Sequence, residues 1–207
     1  MSTMMENFLK EVKKQPYFSN CNSSGRLHEK NIERLLIKNG FVQSTIEDCD
    51  ITKKDIKEIK NASLSKKIQP CMFVAQPCSS QSFPDFIVSD ETGRVFYVEC
   101  KSNKRGDKIT WNSGKPKKGA IYVFSCGRNN AQTFVMGEEF WTDEEREIMA
   151  EAFRQMKVIE KKFKALLKDK ESMVSPYCRE MHQDSQLVYG HDDRLKREQA
   201  VFDYVRS

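Results

Sequence analysis

Asp85, Glu99 and Lys101 are residues whose types and spacing could do chemistry together. Asp85 stands directly before the apolar run Phe86-Ile87-Val88, and Glu99-Cys100-Lys101 closes the run Val95 to Val98, with a 13-residue interval between the two acids. Side chains alternate along a strand, so Glu99 and Lys101 share one face while Cys100 takes the other. The turn-forming stretch Ser89-Asp90-Glu91-Thr92-Gly93 folds the second run back on the first and brings Glu99 near Asp85. Charge at the end of an apolar strand is costly without a partner. A hard cation and a phosphate would supply partners, because Mg²⁺ prefers oxygen ligands and takes one or two carboxylates together with waters and a phosphate oxygen. Such an ion polarises a phosphoryl group and acidifies a bound water, while the Lys101 ammonium orients the nucleophile and stabilises developing charge. The plainer reading of the same residues is a Glu99–Lys101 salt bridge at a strand end, with Asp85 capping a turn.

A sheet must position these groups, and the middle of the chain has the pattern of one. Cys71 to Ala75, Asp85 to Val88, Val95 to Cys100, Ala120 to Ser125 and Thr133 to Met136 are short β-branched or aromatic runs separated by turn formers. Helical spacing precedes them. Glu6 to Lys14 reads as a short helix, and Gly25 to Asn39 as a longer one through Ile32, Leu35 and Leu36, with Asn39-Gly40 as its stop. Phe41-Val42 begins an extended or connecting segment. Thr52 to Asn61, lysine-rich with Ile56 and Ile59 three apart, reads as an exposed helix.

After the strands, Thr142-Asp143-Glu144-Glu145 has the form of a capping box. Ile148, Met149, Ala152, Phe153, Met156, Ile159, Phe163, Leu166 and Leu167 then form a stripe expected to be core or the face of a partner helix. Pro176 prevents its simple continuation, and Asp192 to Val205 reads as a terminal helix with Leu195, Phe202 and Val205 toward an apolar surface. The expected class is α/β, a central mixed or mostly antiparallel sheet flanked by helices.

Length and composition set the bounds. A chain of 207 residues with 38% hydrophobic content suits one domain spanning 1–207. Its net charge is only +5, but cations are concentrated between Lys101 and Lys118, which suits a polyanion. No stretch approaches the roughly 20 apolar residues of a spanning helix, and MSTMMENFLKEVKK lacks a signal-peptide apolar run. The expectation is no membrane partner. The seven cysteines are scattered without a CxxC pair, which argues against a disulfide framework or a zinc site and for a cytoplasmic protein.

Pro84-Asp85, the 13-residue interval and Glu99-Cys100-Lys101 resemble the PD-(D/E)xK nuclease superfamily, typified by type II restriction endonucleases. Gln76-Pro77-Cys78-Ser79-Ser80-Gln81, and Lys101-Ser102-Asn103-Lys104 leading to Trp111-Asn112-Ser113-Gly114, resemble segments of compact restriction enzymes. The resemblance covers roughly residues 25–140, leaving the helical part 141–207 without a counterpart. It implies a restriction-endonuclease-like sheet with extra C-terminal helices. It also implies Mg²⁺-dependent, or alternatively Mn²⁺-dependent, hydrolysis of double-stranded DNA at a short palindromic site, in defence against foreign DNA. Asp85 and Glu99 would be the metal ligands and Lys101 the catalytic cation. A single site cuts one strand, so a homodimer is expected, with the Ile148 to Leu167 stripe or the terminal helix as its interface.

Glu29 extends the candidate catalytic set. It lies closer to the apolar stripe of its helix than Glu33 does, and His28 to Leu36 resembles the superfamily segment whose glutamate approaches the metal. The alternative is a solvated helix face. His28, on the stripe with no partner at ligand spacing, reads as a hydrogen-bonded core residue.

Candidate DNA contacts are Gln81, Ser102, Asn103, Lys104, Trp111, Asn112, Ser113, Lys115 and Lys117, since amides and hydroxyls can read base edges while cations neutralise phosphates. Trp111 either wedges against bases or packs beneath its loop, and packing is the favoured reading because base stacking belongs mainly to single-strand binders. The plainer alternative for the whole segment is a solvated basic loop. Rival functions are a structure-specific or repair nuclease of junction-resolvase type and a catalytically idle DNA-binding module. Metal-dependent cleavage would separate the last of these from the others.

Overall fold

The computed structural model describes residues 2–18, 27–57, 67–78, 82–104, 110–111, 115–168, 170, 173–178, 182–183 and 192–207. The chain opens with α1 (Met4–Lys13), capped by the Thr3 hydroxyl, which accepts the Glu6 amide at 3.1 Å. Helix α2 (Leu27–Lys38) follows and stops at Gly40, whose φ of 93° suits a residue without a Cβ. Next come β1 (Val42–Ser44), α3 (Lys53–Lys57), β2 (Met72–Ala75), β3 (Phe86–Ser89), β4 (Val95–Asn103), β5 (Thr110–Trp111), β6 (Ala120–Cys126) and β7 (Ala131–Met136). A 3-10 turn (Gly137–Phe140) leads to α4 (Asp143–Lys168), then β8 (His182–Gln183) and α5 (Arg194–Arg206).

Six strands form one sheet in the order β1-β2-β3-β4-β6-β7, and β5 pairs with β8 separately. The sheet is mixed. β1–β2 and β4–β6 are parallel, while β2–β3, β3–β4 and β6–β7 are antiparallel. The five expected strand runs are all present, and the fold is α/β with helices flanking a mixed sheet. The tight connection between β3 and β4 is organised by Asp90, whose Oδ1 accepts the amides of Thr92 at 2.8 Å and Arg94 at 2.9 Å. Gly93 completes it at φ 82°.

Strand alternation divides the core in two. Phe96, Val98 and Cys100 of β4 join Phe86, Val88, Ile121 and Val123 beneath α1, α2 and α5. Tyr97 joins Ile87, Tyr122, Phe124 and Trp111 on the opposite side. Helix α5 is tied in by Val201, Val205 and the buried Glu198, which accepts the Thr133 hydroxyl at 2.6 Å and pairs with Lys13 at 2.6 Å. Its packed side is centred on these residues, so Leu195 is 65% exposed rather than turned to the core.

Two other expectations are corrected. The described part of the lysine-rich segment, α3, is not an all-exposed helix, because Ile56 is buried with Ile51 and Ile68. Residues 58–61 lie outside the described residues. The α4 stripe is not core either, since Ile148, Met156, Ile159, Phe163 and Leu166 are 45–60% exposed. The capping box is present as expected: Thr142 N donates to Glu145 Oε2 at 2.7 Å and Glu145 N to Thr142 Oγ1 at 3.2 Å.

Candidate active site

Register builds the site. Phe86 pairs with Val98 across β3 and β4, and Ala75 with Phe86 across β2 and β3. One step further, where β2 ends, β3 begins and β4 runs on beside β6, stand Gln76, Asp85 and Glu99. The Gln76 amide donates to the Asp85 carbonyl at 2.6 Å, and the Cys100 amide donates to Asp85 Oδ2 at 2.7 Å. Asp85 is thus held against β4 by a backbone donor.

Glu99 and Lys101 share the face that alternation requires, and Lys101 Nζ donates to Glu99 Oε1 at 2.7 Å. Both are largely enclosed, with side chains 6% and 14% exposed. Glu99 Oε2 is buried and has no hydrogen-bond partner among the described residues. A buried carboxylate oxygen without a donor is energetically unfavourable unless a cation or ligand completes it. Glu29 reaches the same cluster from α2, where its Oε2 accepts from Gln76 Nε2 at 2.6 Å.

The electrostatics follow from this crowding. Burial and then the charge of Glu99 push the Asp85 carboxyl up to about 8, with the Cys100 amide opposing them and Glu29 and Lys101 adding smaller effects of opposite sign. The Cys100 thiol, on the opposite face, is raised well above its ordinary range by burial and by the same carboxylates. Both shifts reflect burial first and neighbouring carboxylates second.

A stability prediction follows. The folded pKa of Asp85 lies above its ordinary value, so ionising it opposes folding progressively as pH rises from about 4 to about 8. Asp85→Asn, which can keep an acceptor for the Cys100 amide, should be more stable than the parent by on the order of 1–3 kcal/mol above pH 8. The gain should vanish below about pH 3, where the parent carboxyl is protonated in both states. Denaturant unfolding at several pH values checks this, and a stability difference that stays flat from pH 4 to 9 contradicts it.

His28 takes no part. It is fully buried, its Nε2 lies 3.2 Å from the Val123 carbonyl, and burial lowers its pKa to about 4, leaving a neutral ring in the core.

Of the candidate DNA contacts, Trp111 drops out, because it packs beneath its loop as the favoured reading expected. It is 1% exposed and meets Tyr122 and Phe140 edge-on at centroid distances of 5.0 and 4.8 Å, so bases cannot stack on it. Lys101 Nζ lies 5.8 Å from its ring centroid, which makes Trp111 part of the support beneath the catalytic candidate. Ser102 and Asn103 continue β4 in register with Ser125 and Cys126, and Lys104 is exposed just beyond. Lys117 is partly buried, its amide donating to the Tyr122 hydroxyl at 2.8 Å. Gln81, Asn112 and Ser113 lie outside the described residues. Lys115 lines a groove of about 530 Å³ together with Ala150, Phe153, Arg154, Lys157, Val158 and Lys161. Four cations and no carboxylate line it, a setting suited to phosphates that only tertiary packing could assemble.

No family model, curated protein or solved structure matches the chain. Among the described residues, no three His, Cys, Asp or Glu side chains form a ready-made metal site, and no helix is long and apolar enough to cross a membrane. The carboxylates are instead engaged one by one: Asp85 by a backbone amide, Glu99 by Lys101 and Glu29 by Gln76.

Gln76 is the residue that sequence reasoning did not single out. It holds φ at 48°, outside the usual region for a residue with a Cβ, and joins Glu29 to the Asp85 backbone. The signals for it were its place directly after the apolar run of β2, opposite Asp85, and at the head of the Gln76 to Gln81 stretch.

Proposed function

We propose that this chain is a metal-dependent endonuclease of PD-(D/E)xK type that hydrolyses double-stranded DNA at a short palindromic site, as type II restriction endonucleases do. The observation that carries the reading is the meeting of Asp85, Glu99, Lys101 and Glu29 where β3 begins beside the middle of β4, with Glu99 Oε2 buried and lacking a donor among the described residues. The residues fit a small divalent cation. Mg²⁺ needs only one or two protein carboxylates, and Asp85 with Glu99 supplies that number of hard oxygen donors. When bound there, the ion would supply Lewis-acid polarisation of the phosphoryl group and a more acidic water.

The chain's own residues do the rest. Asp85 is oriented through the Cys100 amide, so its carboxylate is fixed relative to Glu99 before any ligand arrives. Lys101, now shared with Glu99, is the cation placed to orient the attacking water and offset charge on the phosphate as the bond to the leaving oxygen breaks. The edge of Trp111 with Tyr122 and the packing beneath Lys101 limit its freedom to stray. Glu29 and Gln76 adjust the local charge. Lys115, Arg154, Lys157 and Lys161 offer phosphate contacts to a duplex.

Incubating the full chain with supercoiled plasmid in magnesium, and in parallel with chelator, tests the reading. The expected result is linear DNA and, from longer duplexes, discrete fragments in magnesium only. Cleavage confined to branched DNA would favour a junction-type nuclease. Folded protein that cuts neither duplex nor branched DNA in magnesium or manganese would overturn the proposal.

A further inference from the structure

Gln76 follows Ala75, the last residue of β2, and turns the backbone at φ 48°. A residue with a Cβ is strained there, and glycine or asparagine takes the conformation more readily. Such a residue persists only where its surroundings over-determine it. Two short bonds do so. The Gln76 amide donates to the Asp85 carbonyl at 2.6 Å, and its side-chain Nε2 donates to Glu29 Oε2 at 2.6 Å.

These bonds serve different ends. The backbone bond ties the turn to the start of β3 whatever side chain position 76 carries. The side-chain bond holds a carboxylate 47 positions away, in the first turn of α2. It is partly buried, which strengthens it against competing water. The charge of Glu29 is felt at Asp85, which is itself held to β4 by the Cys100 amide. Gln76 therefore joins α2 to the two strands that carry Asp85 and Glu99.

The residue type matters as much as the position. An amide donates to a carboxylate without cancelling its charge. A lysine or arginine at 76 would neutralise Glu29 and set a rival cation beside the site, and a glutamate would repel it. Asparagine, one methylene shorter, cannot carry its donor as far.

We infer that Gln76 is a positioning residue of the metal site, orienting Glu29 so that its charge adds to the pull of Asp85 and Glu99 on a divalent cation. This role rests on the reading of Asp85 and Glu99 as metal ligands, and it gives Gln76 a part that acts only through Glu29. A residue that merely supported the turn would owe nothing to Glu29.

Calorimetric titration of the full chain with manganese ion alone, without DNA, tests it, with thermal unfolding of the same proteins alongside. Gln76→Asn keeps an amide and suits φ 48° better than glutamine does, so its Tm should equal or exceed the native value. Its shorter reach gives up Glu29, and the manganese dissociation constant should rise at least about 3-fold. Gln76→Met keeps the length, removes the donor and should weaken manganese to the same degree. Should one of these variants fail to fold, the other carries the reading. Glu29→Gln should weaken manganese at least as much, and adding Gln76→Met to it should change the affinity by less than about 2-fold, because the charge that Gln76 orients is already gone. Native affinity in both Gln76 variants overturns the inference and leaves the metal ligands in place. A further full loss on adding Gln76→Met to Glu29→Gln also overturns it, since that assigns Gln76 to the turn alone. A native chain that takes up no manganese overturns this role too, and the reading of Asp85 and Glu99 as metal ligands then stands or falls on the plasmid assay.

Discussion

Asp85→Asn and Glu99→Gln are each expected to lower the proposed magnesium-dependent cleavage by more than about 100-fold, the scale of losing one preorganised electrostatic group in a reaction site. These variants are better probes than alanine. Asp85→Ala leaves the Cys100 amide without its acceptor, and Glu99→Ala leaves the largely buried Lys101 ammonium without its carboxylate, so either could lose activity through misfolding. The isosteric changes keep those hydrogen bonds and remove only charge. DNA binding measured in chelator should hold for Asp85→Asn, whose parent carboxyl keeps its proton below about pH 8, and hold or tighten for Glu99→Gln, which removes a carboxylate facing the phosphate. Glu29→Gln should act more gently, raising the magnesium needed for half-maximal rate, since Glu29 reaches the site through Gln76 and through its charge. Cleavage by either principal variant within ten-fold of the parent would remove that residue from the reaction.

Trp111→Ala should cost about 3–5 kcal/mol, the usual consequence of emptying a fully buried aromatic site. For a chain of this size that is a fall of roughly 6–20 °C in Tm. The ring is 1% exposed, closes edge-on over Tyr122 and Phe140, and lies 5.8 Å from Lys101 Nζ. Its loss therefore opens space beside β4 at the level of the catalytic candidates. Trp111→Phe should recover most of the stability and leave the cleavage pattern unaltered, which separates a packing role from contact with bases. Thermal unfolding of the three proteins decides it, and an alanine variant melting within 2 °C of the parent would show that the ring carries no such load.

The amino-acid sequence by itself determined what depends on local periodicity. Two-residue alternation put Glu99 and Lys101 on one face of β4 and Cys100 on the other, and the turn chemistry of Asp90 and Gly93 folded β4 back along β3. The reciprocal Thr142–Glu145 cap and the buried His28 were legible for the same reason, since each depends on neighbours within a few residues or on one helix face.

Tertiary structure alone decided which distant groups meet. Gln76 and Glu29 are 47 positions apart and join only because β2 ends where α2 begins, and the Cys100 amide finds Asp85 across 15 positions by strand register. The sequence left Trp111 between wedging against bases and packing beneath its loop, with packing favoured, and Tyr122 and Phe140 closing over it decide for packing. Periodicity announces that a helix has an apolar side but not what covers it, so the α4 stripe could be read as core when the chain leaves it in water. Hydrophobic burial is nondirectional and is satisfied by any apolar surface within reach, so its partner is chosen by the assembled fold rather than by the segment that carries it.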